Sequence, residues 1–175
     1  MISSILEKAK LIQLLILDAD GILTNGALYY GNASIELKVF HIHDGLGIKL
    51  LQKAGITVAM ISGKTSEALI RRINELDIKH CYLDQEEKLP AYEQLKQKLV
   101  LNDQQIAYMG DDLPDLPLLR RAGLAITVPK APAIITQHAD MITKMKAGKG
   151  AVREVCQLIL EAQDRYQSVI ESYLI

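Results

Sequence analysis

Two kinds of hydrophobic pattern alternate along this chain. Short, largely apolar runs, as in Leu14-Leu15-Ile16-Leu17, residues 56–61 and residues 105–109, each end on polar residues: Asp18, Ser62 and Gly110-Asp111. Runs of that length between turn residues predict strands buried on both faces, as in a parallel sheet. Shorter runs at 80–83, 124–128 and 140–142 extend the series. Between them, apolar residues recur at helical spacing: Leu46, Leu50, Leu51 and Ala54 after a candidate N-cap at Asp44, then residues 65–76. Leu89, Tyr92, Leu95 and Leu99 mark a helix beginning near Lys88, and further helices are expected up to Ala122 and at 131–137. Val152, Val155, Leu158, Ile159, Ala162, Tyr166 and Val169 trace one stripe through the final segment. Such alternation predicts an α/β fold with a doubly wound, mostly parallel sheet, in one domain spanning residues 1–175.

One stretch breaks the pattern. The residues before the strand at about 12–17 read as a short lead-in, but after Thr24 two β-prone runs flank Gly31-Asn32, a hairpin turn signal. The second run alternates apolar and polar residues as far as Lys38, which suits a strand with one face buried. Residues at about 26–41 are therefore expected to form a small hairpin flap over the carboxyl ends of the sheet.

A length of 175 residues is enough for a proper core, and 49% hydrophobic with 23% charged residues is ordinary for a soluble globular protein. A net charge of −1 and the absence of a basic run give no reason to expect nucleic acid. Neither a leader-like segment nor an apolar stretch of membrane-spanning length is seen, so no membrane is expected and the cytoplasm is the expected location. Two distant cysteines, Cys81 and Cys156, fit a reducing compartment and are expected to be buried and inert.

In open α/β sheets the ligand site lies beyond the carboxyl ends of the strands, and there the polar residues gather. Asp18 and Asp20 stand one residue apart, with Gly21 allowing a sharp turn. Two carboxylates so close call for a cation. Together with Asp111 and Asp112 they offer only oxygen ligands, with no His or Cys cluster beside them, which favours Mg²⁺. Ser62 and Gly63 at a strand–helix turn suit a phosphate, and Lys88 would neutralise part of its charge. The parts compose a phosphoryl-transfer site: Asp18 as nucleophile forming an aspartyl phosphate, Asp20 as acid and then base, and Asp111 on the metal with Asp112 or Asp115 completing its shell.

The ordered segments DADGILT, ISGK, Lys88 and GDDLPD resemble the four motifs of haloacid dehalogenase superfamily phosphatases. The hairpin insert, GNASIELKVFHIHDGLGI and KAGKGAVREVCQLIL further resemble the branch that acts on 3-deoxy-D-manno-octulosonate 8-phosphate. The resemblance covers nearly the whole chain. It implies Mg²⁺-dependent hydrolysis of a sugar-acid phosphate on the way to lipopolysaccharide, with the residue at Asp20 binding metal through its backbone carbonyl. A homo-oligomer, a tetramer, is also implied, with the hairpins forming a shared barrel and a neighbouring subunit helping to close the site. This sequence has His43 and Lys64 where the family usually has arginine, which bears on the sugar acid more than on the chemistry. A nine-carbon keto-acid phosphate is the alternative substrate.

The remaining candidates have plainer readings beside functional ones. His41 and His43 have strand spacing and suit a surface or interface, with His43 also a candidate substrate contact. Lys149 and Arg153 open a helix where positive charge opposes the dipole, which makes them candidates for an anionic substrate. Arg71 and Arg72 belong on a helix surface, and Tyr166 and Tyr173 suggest packing. A phosphoacceptor signalling domain shares the fold class and an acidic pocket, but its acceptor sits on a middle strand, and here that strand ends in Met60-Ile61-Ser62 without an aspartate.

Overall fold

A computed structural model describes residues 2–32 and 35–174. Six parallel strands form the sheet: β1 (Leu14–Leu17), β4 (Thr57–Ile61), β5 (His80–Tyr82), β6 (Ile106–Met109), β7 (Leu124–Thr127) and β8 (Met141–Ile142), in the order β5-β4-β1-β6-β7-β8. All β1 residues are buried because β4 and β6 flank it and helices cover both faces. Alternate side chains feed two cores. Leu15, Leu17, Met60 and Met109 face α2 (Ile42–Lys53) and α7 (Ala151–Ala162), with α3 (Glu67–Glu75) on the same face. Leu14, Ile16, Ile61 and Tyr108 face α4 (Lys88–Leu99) and α5 (Leu116–Leu119), and α6 (Ala133–Gln137) joins the same core through Ile135. From β1 the chain builds outward through β4 and β5, then crosses to β6 and builds the other way. The reversal lies between β1 and β6, the place where such folds put a ligand crevice.

Several local expectations are corrected. The lead-in is a helix, α1 (Ile2–Lys10), which packs along α7. Asp44 does not cap its own helix. Its helix starts two residues earlier, at Ile42, and the buried Asp44 carboxylate instead accepts from the backbone N–H groups of Gly150 and Arg153 at the start of α7. That carboxylate satisfies free N–H groups in the first turn of α7 and sits at the positive end of its dipole. The buried face of α2 is Asp44, Gly45, Gly47, Ile48, Leu50 and Leu51, so Leu46 points outward. The terminal stripe is not one helix. Asp164 adopts the left-handed conformation, and the chain restarts as α8 (Tyr166–Ile170). Tyr166 packs on the core as expected, whereas Tyr173 is exposed.

The hairpin is present, and the face it buries is the polar one. β2 (Tyr29–Tyr30) and β3 (Glu36–Leu37) pair antiparallel, with residues 33 and 34 at the tip outside the described ones. Its base is closed by a bridge between Thr24 and Phe40. The polar side turns in, leaving the Lys38 side chain 1% exposed, while Tyr30 and Leu37 are 73% and 59% exposed. Arg72 is not a plain surface residue: it lies over the Phe40 ring and donates to the His41 carbonyl, propping the returning strand, while Arg71 remains exposed.

Candidate active site

β1 delivers Asp18 to the floor of the crevice in extended backbone, its N–H still bonded to the Met109 carbonyl of β6. The chain then turns through Asp20 and Gly21. Gly21 has φ +89°, and a Cβ there would overlap the Asp111 carboxylate, so the glycine permits both the turn and the close approach of the two acidic loops. Lys88, the first residue of α4, reaches back into the crevice. Its buried ammonium donates to Asp18 at 2.7 Å and Asp115 at 2.5 Å. Burial alone would lower the Lys88 pKa, but the carboxylates of Asp18 and Asp115 outweigh it and the net shift is upward. The lysine stays charged.

Asp115 is the hub beneath the floor. One oxygen accepts from Lys88 and from the hydroxyl of the buried Tyr108, both at 2.5 Å, and the other accepts from the backbone N–H groups of Asp111 and Asp112. With both oxygens engaged by protein donors, Asp115 orders the site from behind.

Oxygens of Asp18, Asp111 and Asp115 lie within 4.8 Å of one another. Burial, with the Asp115 charge beside it, pushes Asp18 up to about 7 against the pull of Lys88. Burial, with the charges of Asp18, Asp115 and Asp112, pushes Asp111 up to about 7. One buried oxygen of Asp111 has no hydrogen-bond partner. A divalent cation fits this arrangement: it would use the orphan oxygen and hold both carboxylates ionised. The all-oxygen donor set suits Mg²⁺. Asp112 stands differently. It is exposed, and its carboxylate caps the N–H of Leu113, outside the close cluster.

A cavity of about 600 Å³ opens above the floor, lined by Asp18, Asp20, Ser62, Gly63, Lys64 and Lys88 among others. Ser62 and Gly63 lie on the end of β4, but not at a helix N-terminus as expected. The helix begins only at Glu67, capped by the Ser66 hydroxyl, and the Ser62 hydroxyl exchanges bonds with the backbone of Lys64 in a local turn. The Asp20 carboxylate leaves the metal cluster and pairs with Lys38 at 2.5 Å, also accepting from Thr24. Sequence reasoning passed over Lys38 and Tyr108. The alternation that puts Glu36 and Lys38 on one face was the available signal for the first, whereas a tyrosine in an apolar run gave none for the second.

His43 and Arg153 do not reach this cavity. With Lys149 and His41 they border a separate groove of about 920 Å³ beside α7. The two histidines meet edge to face at 4.9 Å, His41 capping α2 and His43 within it, so the expected strand spacing does not apply. Cys156 is buried and Cys81 only partly so; burial raises both thiols, that of Cys81 to about 11, which leaves them unreactive.

A family model of haloacid dehalogenase-like hydrolases matches residues 84–155, which include Lys88 and the acidic loop. The chain is similar to the 3-deoxy-D-manno-octulosonate 8-phosphate phosphatase of Yersinia pestis, at 43% identity over 93% of this chain and 87% of that protein. Its fold matches a crystal structure of the Moraxella catarrhalis phosphatase of that name, in complex with magnesium, phosphate and 3-deoxy-D-manno-octulosonate. The TM-score is 0.96, with 42% identity over 99% of each chain. A cobalt-bound Haemophilus influenzae phosphatase matches with a TM-score of 0.89 at 40% identity, over 95% of this chain and 97% of that one. Taken with the acidic floor, Lys88 and the hairpin, these likenesses show that the chain belongs to the 3-deoxy-D-manno-octulosonate 8-phosphate phosphatase family of haloacid dehalogenase-like hydrolases.

Proposed function

We propose that this chain hydrolyses 3-deoxy-D-manno-octulosonate 8-phosphate to the free sugar acid and phosphate, with Mg²⁺, in lipopolysaccharide biosynthesis. The observation that carries the chemistry is the buried Asp18–Lys88–Asp115 array beside an Asp111 oxygen with no partner. Mg²⁺ held by Asp18, Asp111 and the backbone carbonyl of Asp20 would offset charge on the phosphoryl oxygens. An oxygen of Asp18 attacks phosphorus, the bond from phosphorus to the sugar oxygen breaks, and Asp20, carrying a proton at this stage in place of its pairing with Lys38, gives that proton to the oxygen. Asp20, now a carboxylate, takes a proton from water. The hydroxide attacks the aspartyl phosphate, releasing phosphate and restoring Asp18. Lys88 holds Asp18 in place and neutralises charge throughout, and Ser62, Gly63 and Lys64 border the space where the phosphoryl group sits.

The hairpin supports a homo-oligomer, a tetramer in keeping with the resemblance. Leu28, Tyr29, Tyr30, Ile35, Leu37 and Val39 are all exposed on one small element, an apolar patch that a second copy would cover. No helix among the described residues is long and apolar enough to cross a membrane, and a cytoplasmic enzyme is the reading adopted.

Phosphate release from the eight-carbon and nine-carbon keto-acid phosphates, side by side with an Asp18→Asn control, tests the function. Preference for the eight-carbon compound, lost in the variant, is expected. Preference for the nine-carbon compound moves the substrate while keeping the mechanism, and release that survives Asp18→Asn overturns the nucleophile. Light scattering of the Leu37→Asp variant tests assembly, with loss of the oligomer expected.

A further inference from the structure

Asp44 does not line the catalytic cavity, yet it is completely buried. Taking a carboxylate out of water is costly unless donors meet its oxygens. Here one oxygen accepts from the Arg153 N–H at 2.9 Å and the other from the Gly150 N–H at 3.2 Å. α7 has no side-chain cap of its own, and Gly150 stands at its N-cap with φ +104°. The two helices touch at this point: a Cβ on Gly47 of α2 would lie 3.0 Å from the Arg153 Cα. Asp44 is thus a cap lent by α2 to α7, joining the two helices at their first turns.

From that junction two arms of chain run back to one residue of the catalytic turn. Just upstream of α2, Phe40 forms the bridge to Thr24 that closes the hairpin. Just upstream of α7, Gly148 donates its N–H to the Ile22 carbonyl at 3.1 Å. With φ +59° it lies so near the turn that a Cβ would come within 2.5 Å of the Asn25 nitrogen and 2.7 Å of the Thr24 carbonyl carbon. Glu154, in the first turn of α7, fixes the rest of this arm by accepting from the N–H groups of Lys144 and Met145. Thr24 is buried between the arms. It donates its N–H to the Ala19 carbonyl and its hydroxyl to the Asp20 carboxylate at 3.2 Å. A contiguous run of packed backbone and hydrogen bonds therefore joins the buried acid of α2 to the acid of the crevice.

We propose that Asp44 is a positioning residue for proton transfer: by clamping the start of α7 to α2, it holds the turn that aims the Asp20 carboxyl group at the leaving oxygen. The inference rests on the phosphatase reading above and deepens it. A proton donor acts only within hydrogen-bond reach of the atom it serves, so a loosened turn penalises that step before any other.

The test is steady-state kinetics, with saturating Mg²⁺, on phenyl phosphate and 4-nitrophenyl phosphate, two esters of similar shape. Phenolate is the stronger base and needs a proton to leave, whereas 4-nitrophenolate leaves unaided. Comparing kcat/KM confines the reading to the steps up to that departure, before the aspartyl phosphate is hydrolysed. Asp44→Ala is expected to lower the phenyl to 4-nitrophenyl ratio by about tenfold or more, the scale of a slightly misplaced acid. Asp44→Asn, which keeps one acceptor oxygen, is expected to recover part of that loss. Gly148→Ala disturbs the same link from its other end and is expected to lower the ratio too, which keeps the test decisive where Asp44→Ala does not fold. Asp20→Asn marks the ratio without the acid. A ratio that stays within about twofold of the parent's in the Asp44 and Gly148 variants, beside a large fall in Asp20→Asn, overturns the positioning role. So does an equal fall for both esters, which is what loss of folded enzyme alone produces. A ratio that Asp20→Asn leaves unchanged overturns the assignment of the acid itself, and the positioning role with it.

Discussion

At the carboxyl ends of the strands, Asp18, Asp20, Lys88 and Asp111 surround a cavity of about 600 Å³. At the amino ends, Gln13, Thr57, Asn102, Gln105, Gln163 and Arg165 surround another of the same volume. Size does not tell the two apart. Amides and backbone groups satisfied by neighbouring segments line much of the second, as where Gln163 donates to the Ala9 and Ile12 carbonyls. The first holds carboxylates driven to unusual protonation by burial and by each other, and one buried oxygen with nothing bound to it. Unmet electrostatic demand, more than concavity, marks the functional end.

The contrast between the two ends breaks most sharply at the nucleophile. Asp18→Asn is expected to lower kcat by about 10⁴-fold or more, while Asn102→Ala at the opposite end leaves kcat within about twofold; phosphate release measures both. Lys88→Met comes next. It leaves Asp18 and Asp115 facing each other without their cation, and a loss in kcat of about 10³-fold is expected together with about 3 kcal/mol of stability, read by chemical denaturation. Gly148→Ala, at the loop fastened to the catalytic turn, is expected to cost about 1–3 kcal/mol from its positive φ, with the steric clash adding to it.

The smallest effect is the most diagnostic of the acidic floor. Without a cation, Asp18 and Asp111 titrate near 7 in the folded protein against an ordinary carboxyl value of 3.8. Between about pH 4 and 7 the folded state therefore holds protons that the unfolded state has released, and stability falls as pH rises through that window. Mg²⁺ takes the place of those protons. The rise in Tm on adding Mg²⁺ is expected to be larger at pH 8 than at pH 5; equal rises at both would place the cation elsewhere.

Residues whose role follows from strand direction were legible in the sequence. Asp18, Ser62 and Asp111 follow short apolar runs, and parallel strands carry such residues to one edge whatever the loops do. Lys88 was legible only through the order of motifs, because nothing local distinguishes it from a surface lysine. Residues set by tertiary packing were hidden. Asp44 looked like a cap for the helix it lies in and serves another 106 residues away. The hairpin's alternation was visible, but not which face would turn inward, since that depends on Asp20 drawing Lys38 down.

The bridge between Thr24 and Phe40 has a consequence for how this architecture can change. Everything between those residues leaves and re-enters the fold through one pinched doorway, while Asp18 and the sheet lie on its near side. With the ends already joined, lengthening the intervening chain adds closure entropy only slowly, roughly 0.6 kcal/mol per doubling. The doorway thus acts as a socket: a larger cover could be grown there without moving Asp18 and the sheet beneath, provided that Lys38 still reaches Asp20.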